Sequence, residues 1–310
     1  MIDLKELLVL ANNNGASDLH LTEGSPPILR IDGHLVRTEY PPLTGMELKR
    51  SIYAVLNDTQ REKFERELEL DFSLAIEGMD RFRVNVHMQR GFVEAAMRRV
   101  SNQIPAITSL GLPPIVMEFI HKKEGLILVT GPTGSGKTTT LAAMIESINE
   151  ERACNVIMIE DPIEYIHSNK KAIIKQREVY SDTKSFAEAL KRCLRQDPDV
   201  IVVGEMRDLE TIQTTLTAAE TGHLVLATLH TPDAAQTIER IIDVFPAAQQ
   251  QQVRLQLSGC LQGVLSQRLL SRAKGKGRVL ATEILVATPA VRNLIREQAL
   301  EQIPTAIQTG

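Results

Sequence analysis

The chain has 310 residues, of which 43% are hydrophobic and 24% are charged, a balance typical of globular proteins and not of disordered ones. A formal charge of -4 gives no overall attraction to nucleic acid, and 4% aromatic residues without tryptophan disfavour a base-stacking platform. Because there is neither a basic leader before an apolar core nor an apolar run of about 20 residues, we expect a cytosolic protein, peripheral to a membrane at most.

Residues 1–100 predict a small antiparallel α+β domain. Asp32-Gly33 lies between two apolar runs and suits a two-residue hairpin turn, while Thr44 with Glu47 matches a capping box. Asp58 is expected to cap the next helix. Helical spacing and strict alternation predict helices at 3–13, 44–55 and 58–67 and strands at 17–22, 28–31, 34–37, 70–76, 81–88 and 92–100.

Residues 101–114 predict a linker, because three prolines and a glycine interrupt every periodic pattern there. After it, strands alternate with helices, which favours a mainly parallel α/β sheet covered on both faces, a second domain over 115–310. The expected strands are 125–130, 155–160, 172–176, 199–204, 223–228 and 279–285, and the expected helices are 137–150, 184–196, 208–221 and 233–243. The stretch 246–271 predicts one long helix, or two that join near Gly259. Ligands of such folds bind beyond the carboxyl ends of the strands, where we expect every motif below.

A phosphate-binding loop is the strongest motif in the chain. Residues 131–138 fit G-x-x-x-x-G-K-[ST] and follow the buried run 125–130, so a strand leads directly into the loop and then into a helix. Lys137 would reach the β- and γ-phosphate oxygens of ATP, and the Thr138 hydroxyl would ligate Mg²⁺. The predicted nucleotide-binding residues are Gly131, Pro132, Thr133, Gly134, Ser135, Gly136, Lys137, Thr138 and Thr139.

Two further apolar strands end in acidic residues. The first ends in Glu160, Asp161 and Glu164, of which Glu160 and Glu164 are the candidates to face a magnesium-bound phosphate chain. The second resembles a Walker B strand and delivers Glu205, which would orient or deprotonate the attacking water. Since Gly204 stands where a magnesium-holding aspartate is usual, metal contact would run through Thr138, water, or the acidic residues, with Glu160 and Glu205 as candidates. Acidic residues that merely cap strand ends are the alternative.

Histidines and arginines supply further candidates. His223 and His230 flank a third apolar strand, and His230 would sense the γ-phosphate if it lies beside the loop, or be a structural histidine if it does not. Arg81 and Arg83, followed by Arg98, are either solvated charges or arginines delivered to a nucleotide of a neighbouring subunit. The latter arrangement favours a ring.

Together these motifs resemble the secretion and type IV pilus motor ATPases. The likeness rests on residues 131–138, 160–164, 199–208 and 220–231 in that order, and it covers almost the whole chain. Four shorter segments, 15–21, 176–179, 194–199 and 291–297, narrow it to the pilus-retraction members.

This resemblance implies a homohexamer with a PAS-like N-terminal domain, a RecA-like ATPase domain and ATP with Mg²⁺ bound between subunits. It implies that Glu205 is catalytic, that Glu164 belongs to an acidic box, that His223 and His230 form a histidine box, and that Arg83 and Arg98 approach the phosphates. Arg207 lies in the matched Gly-Glu-Met-Arg-Asp segment. The implied partner is the inner-membrane platform protein of the pilus machine, at whose cytoplasmic side the ring would act.

Three alternatives stay open. A pilus-extension or type II secretion motor would share the site chemistry, although such relatives generally carry a longer N-terminal region and a four-cysteine motif, and this chain has three cysteines. A RecA-like nucleic-acid motor would need a basic or aromatic track. A non-hydrolysing nucleotide switch would not need Lys137 and Glu205 together.

Overall fold

The computed structural model describes residues 3–74, 76, 81–100, 103–273 and 278–309. The chain divides into two compact units, Met1–Gln103 and Ile104–Gly310. Much of the stretch predicted as a linker belongs to the second unit, because a 3₁₀ helix covers Ile107–Leu110, and Ile107 and Leu112 pack against that unit's core.

In its described residues, the first unit is an antiparallel sheet of six strands in the order β3-β2-β1-β6-β5-β4 with three helices. Its leucine-rich core includes the buried Leu7, Leu19 and Phe82. The strands are β1 (Asp18–Leu21), β2 (Ile28–Ile31), β3 (His34–Arg37), β4 (Glu69–Leu74), β5 (Arg81–Gln89) and β6 (Phe92–Val100), and the helices are α1 (Leu4–Asn13), α2 (Gly45–Tyr53) and α3 (Asp58–Glu67).

Local turn and capping signals decide the ends of these elements. Asp32 and Gly33 both have positive φ, as a two-residue hairpin turn between β2 and β3 requires. The capping box is confirmed, because Thr44 Oγ1 accepts from Glu47 N and Glu47 Oε2 accepts from Thr44 N. The prediction that Asp58 caps α3 is wrong: the helix already begins at Asp58, so the preceding Asn57 makes the capping bond.

The second unit is built around a sheet of seven strands in the order β13-β12-β7-β11-β10-β8-β9, parallel except for the β12–β13 pair. The mainly parallel sheet is therefore confirmed. Its strands are β7 (Gly125–Thr130), β8 (Asn155–Glu160), β9 (Ile173–Glu178), β10 (Val200–Val203), β11 (Leu224–Leu229), β12 (Leu261–Ser271) and β13 (Arg278–Val286). The helices are α4 (Ile115–Ile120), α5 (Lys137–Glu151), α6 (Phe186–Cys193), α7 (Leu209–Glu220), α8 (Ala234–Asp243), α9 (Ala247–Cys260), α10 (Pro289–Arg296) and α11 (Ile303–Thr309).

Helices cover both faces of this sheet. Successive residues of a strand point to opposite faces. Leu126 and Leu128 of β7 accordingly join the core under α6 to α10, whereas Ile127 and Val129 join the core under α4 and α5. Because the central strands are buried on both faces, they are mostly apolar and do not alternate between apolar and polar residues.

The predicted helix over 246–271 is wrong in its second half. Helix α9 ends at Cys260, and β12 then runs parallel to β7 and antiparallel to β13. Gly263 is the reason that the chain can pass here, because a Cβ at this position would lie 2.3 Å from the ring of the buried Phe119. An apolar run with a glycine fits a helix and a buried strand equally well, so periodicity could not separate them.

No helix within the described part of the chain is both long enough and apolar enough to cross a membrane.

Candidate nucleotide site

The carboxyl ends of four neighbouring parallel strands bring the predicted groups to one edge of the second unit's sheet. Strand β7 leads into the loop 131–136, β8 ends at Glu160, β10 is followed by Gly204 and Glu205, and β11 is followed by His230. Strands β7, β11, β10 and β8 are adjacent and parallel, so these four ends converge. This is the edge at which open α/β sheets bind ligands.

The loop between β7 and α5 is a tight backbone cradle. Gly131, Gly134 and Gly136 have φ values of +138°, +78° and +92°. At Gly131 a Cβ would lie 2.3 Å from the carbonyl oxygen of Gln267 on β12, so both the backbone angle and the available space require glycine there.

The Lys137 side chain lies inside this cradle and hydrogen-bonds to its backbone. The lysine is only 8% exposed, and its Nζ donates to the carbonyl oxygens of Gly131 at 2.8 Å and Pro132 at 3.1 Å. Burial lowers the pKa of Lys137, while the carboxylates of Glu205 and Glu164 act in the opposite direction. The ammonium group thus lies in a negative field and is held by neutral carbonyl groups that an anion can replace.

An unpartnered hydroxyl fits the loop to a phosphate. Ser135 is 3% exposed, and its buried Oγ has no hydrogen-bond partner among the described residues. None of the described side chains caps the first turn of α5 either, so its N–H groups are available to an anion. In the same turn, Thr139 Oγ1 hydrogen-bonds to the Tyr165 hydroxyl at 3.0 Å.

Two basic side chains contact the Glu205 carboxylate at this edge. Arg207 donates from Nη2 to Glu205 Oε2 at 2.7 Å, and His230 Nε2 lies 3.2 Å from Oε1. Partial burial raises the pKa of Glu205, but the Arg207 hydrogen bond and the nearby His230 outweigh it, so the net pKa lies below the ordinary value. Glu205 is therefore ionised at neutral pH.

His230 also contacts the phosphate-binding loop. Its Nδ1 lies 3.5 Å from Thr133 Oγ1, while its other ring nitrogen contacts Glu205. One imidazole thus connects the carboxylate after β10 with the loop after β7. His223 behaves differently: it precedes β11, and its Nδ1 lies 3.0 Å from the carbonyl oxygen of Ala218. The expectation that the whole histidine motif lies at the carboxyl edge is wrong for His223, because a strand places its two ends at opposite edges of a sheet.

Gly204 has a steric reason to lack a side chain. A Cβ there would lie 3.0 Å from the carbonyl oxygen of Ile159 and 3.2 Å from the Cα of Glu160, on the neighbouring strand. The Thr228 hydroxyl donates to the Gly204 carbonyl oxygen, and Gly204 N donates to Ile159 O. Glycine in place of the usual magnesium-holding aspartate therefore allows β10 to pack closely against β8.

The acidic residues after β8 occupy two environments. Glu160 is 7% exposed, and its Oε1 accepts from Gln176 Nε2 at 2.9 Å. Glu164 is partly exposed and close enough to Lys137 to affect the lysine's pKa. Glu164 thus belongs electrostatically to the loop, whereas Glu160 is fixed in the sheet.

The arginines of the first unit lie on the outward face of its sheet. Strand register aligns Arg30, Asp18, Arg98 and Arg83 across β2, β1, β6 and β5. Asp18 is 7% exposed and accepts from Arg98 Nε at 2.8 Å, while the Arg98 side chain remains 71% exposed. Arg81 lies on the same face as Arg83, two residues away on β5. The structure thus presents a basic row anchored by one buried carboxylate.

Sequence reasoning missed several side chains that support the site. Gln267 Nε2 donates to Thr140 Oγ1 on α5 at 2.8 Å, whereas the sequence pattern predicts a helix for the segment that contains Gln267. Gln176 and Asp18 lie in segments that the motif comparison picked out, 176–179 and 15–21, without a role for either residue. Gln176 bonds residues of the preceding strand and loop, and Asp18 bonds Arg98 on another strand, so only the assembled sheets reveal these contacts.

The chain is similar to known proteins over nearly its whole length. The family model described as type II/IV secretion system protein matches residues 1–309. The type IV pilus retraction ATPase PilT of Pseudomonas aeruginosa is 50% identical over 309 residues, which cover 100% of this chain and 90% of that protein. A twitching motility protein of Neisseria gonorrhoeae is 49% identical over 284 residues, covering 92% of this chain and 76% of that protein.

Solved structures of related ATPases are also similar to this chain over nearly its whole length. The crystal structure of the pilus retraction motor PilT with bound ADP has a TM-score of 0.96 and 53% identity, and the match covers 99% of this chain and 90% of that one. The ATPase DotB of Legionella pneumophila has a TM-score of 0.87 at 28% identity, covering 98% and 86%. On these matches, this chain belongs to the type II/IV secretion system protein family of ATPases.

Proposed function

We propose that the chain is an ATP-hydrolysing motor that powers retraction of type IV pili. The observation that carries the proposal is the joined site: Glu205 is held ionised by Arg207 and His230, and His230 also contacts Thr133 of the phosphate-binding loop. A catalytic carboxylate and a phosphate cradle are thus connected through one side chain. The names of the similar pilus proteins supply the biological setting, which site chemistry alone cannot give.

The nucleotide would be bound by residues 131–139. Its phosphates would accept from the loop N–H groups, from the Ser135 hydroxyl and from Lys137, which would exchange the Gly131 and Pro132 carbonyl oxygens for phosphate oxygens. This exchange restores full charge pairing to an ammonium group that burial disfavours.

Magnesium would be held mainly through the nucleotide. Among the described residues there is no group of three or more His, Cys, Asp or Glu side chains that could hold a metal by itself. Thr138 would supply its hydroxyl, and Glu160 and Glu205 would act directly or through water. The ion's contribution would be to neutralise charge on the phosphates.

Hydrolysis would use the chain's own groups in distinct roles. Glu205 would orient the attacking water and accept its proton, Arg207 would keep that carboxylate aligned, and His230 would report the presence of the γ-phosphate. Glu164 would balance the charge of Lys137. Arg83 and Arg98, with Arg81 beside them, would reach the phosphates of the nucleotide bound to a neighbouring subunit. His223 would act at the opposite edge of the sheet, away from the phosphates.

The proposed assembly is a homohexamer at the cytoplasmic side of the inner membrane. Its first unit would be a PAS-like domain and its second a RecA-like domain, and its partner would be the platform protein of the pilus machine. No nucleic-acid partner is proposed.

Steady-state ATP hydrolysis by the purified full chain tests the proposal. We expect magnesium-dependent turnover that Glu205→Gln lowers by about 10²-fold or more, because loss of a general base costs about this much, while ADP affinity stays unchanged. Since the pKa of Glu205 is lowered, its carboxylate should stay available down to pH values below its ordinary pKa, with no loss of the base near neutrality. Absence of hydrolysis in the wild-type chain, or full turnover by Glu205→Gln, would refute the proposal.

A further inference from the structure

Strand β9 fixes the position of Glu160 and of the loop that follows it, which carries Glu164. This strand is the edge of the second unit's sheet, paired in parallel with β8. Gln176 and Glu178 alternate along β9 and therefore point to the same face, the face that Glu160 occupies at the end of β8. Both side chains bind the loop that leaves β8 after Glu160.

Gln176 uses every polar atom of its amide on this loop. Its Nε2 donates to Glu160 Oε1 at 2.9 Å and to the carbonyl oxygen of Tyr165 at 2.7 Å. Its Oε1 accepts from the backbone N–H of His167 at 2.9 Å. Only a side chain with two donors and an acceptor in this geometry makes all three bonds, which is the inventory of an amide and not of a carboxylate or an aliphatic group.

The rest of the loop is fixed on either side. Glu178, which is 4% exposed, accepts from the backbone N–H of Ile163 at 3.1 Å. Toward α5, His167 Nδ1 lies 2.7 Å from Glu146 Oε2, and Asn149 Nδ2 donates to the Ser168 carbonyl oxygen at 2.7 Å. The loop is thus clamped between the edge strand and the helix that begins at Lys137.

This clamp sets the position of two groups at the phosphate edge. Glu164, which acts on the pKa of Lys137, lies between the anchored residues Ile163 and Tyr165. The Tyr165 hydroxyl in turn hydrogen-bonds to Thr139, two residues after Lys137. A shift of the loop would therefore move Glu164 together with the hydroxyl group that hydrogen-bonds to Thr139.

We propose that Gln176 is a positioning residue for ATP hydrolysis, acting by fixing Glu160 and the loop that carries Glu164. This inference rests on the proposed function. None of these bonds reaches residues 131–138 or Glu205 directly, so we expect Gln176 to affect turnover more strongly than nucleotide affinity.

Two substitutions test the role in the full-length chain. Gln176→Leu removes all three bonds at similar size, and Gln176→Glu keeps an acceptor but places a second carboxylate against Glu160. Supporting residues of this kind typically change activity about 10–100-fold. We expect kcat to fall by that factor with KM for ATP and ADP affinity nearly unchanged, and to fall further for Gln176→Glu because like charges repel. Lys175→Met, at the exposed neighbouring position of β9, is the matched control and should keep wild-type kcat.

Hydrogen exchange provides a readout that does not depend on turnover. The His167 amide loses its acceptor in Gln176→Leu, so exchange should accelerate over 161–168 and stay unchanged in β7 and β10. Wild-type kcat in both variants would overturn the inference, as would faster exchange throughout the second unit, which would indicate general destabilisation. A wild-type chain that hydrolyses no ATP would instead refute the proposed function and with it the catalytic role, and the exchange result would still decide whether Gln176 holds the loop.

Discussion

At the scale of single residues, the site is defined by what the backbone can accommodate. The loop 131–136 turns so tightly that Gly131 faces the Gln267 carbonyl oxygen, while no described residue lies within 4 Å of the position of a Cβ at Gly134. Both glycines have positive φ, but only one of them is also confined by a neighbouring strand. The two positions therefore separate backbone strain from steric exclusion.

Gly131→Ala should destabilise the chain more than Gly134→Ala. At Gly134 the cost is backbone strain alone, about 1–2 kcal/mol, whereas at Gly131 strain combines with overpacking for about 3 kcal/mol or more. Urea unfolding followed by circular dichroism measures both variants, and ADP titration should show loss of binding for Gly131→Ala. Equal destabilisation by the two variants would mean that the approach of β12 does not constrain the loop.

At the scale of elements, β12 is the strand that packs against the phosphate-binding loop and the start of α5. It lies beside β7, supplies the carbonyl group that confines Gly131, and places Gln267 against Thr140 of α5. Its approach to α4 depends on Gly263, over which the Phe119 ring lies. The fold of this segment thus follows from packing and not from local propensity.

Gly263→Ala should destabilise the second unit by about 1–3 kcal/mol, the usual cost of overpacking a core. Gly259→Ala is the matched control four residues earlier, in α9, where a Cβ meets nothing within 4 Å. It should stabilise by about 0.5–1 kcal/mol, since alanine is the better helix former. Thermal melting measures the stability of both variants. If Gly263→Ala were as harmless as Gly259→Ala, residue 263 would not lie in a strand packed against Phe119.

At the scale of the whole molecule, the arginines of the first unit are proposed to complete sites on neighbouring subunits. Asp18 supports this role because it binds Arg98 through Nε and leaves the exposed end of the guanidinium group to face outward. Burial raises the pKa of Asp18, but hydrogen bonds from Ser17 and Arg98 outweigh it, so the net pKa is lowered. The anchor is therefore charged at neutral pH.

Mixing two inactive variants tests action across subunits. Arg98→Ala and Lys137→Ala should each lack ATPase activity when pure, because each removes one half of a shared site. Mixed assemblies should regain part of the turnover, since a Lys137→Ala subunit can supply Arg98 to the intact loop of its neighbour. ATPase assays after subunit exchange measure this. No recovery in well-mixed assemblies would mean that Arg98 acts within its own subunit or not on the phosphates.

Sequence patterns predict those features that depend on residues close together in the sequence. The phosphate-binding loop, the Asp32-Gly33 turn and the alternation of strands and helices are encoded locally, and the structure has them. The contacts of Gln176 and Asp18 depend on which strands become neighbours. The sequence predicts a helix where β12 lies because the apolar residues of this segment fit both a helical and a strand period. His223 and His230 flank β11 as the sequence predicts, and only the expectation that every motif lies at the carboxyl edge fails, since a motif that spans a strand cannot have both ends at one edge.

Recovery of pilus retraction tests the central proposal most directly. In a strain that lacks its own retraction ATPase, this chain should restore twitching motility, and Glu205→Gln should fail to do so although it still binds ATP. A wild-type chain that hydrolyses ATP but restores no retraction, or retraction restored equally by Glu205→Gln, would contradict the account.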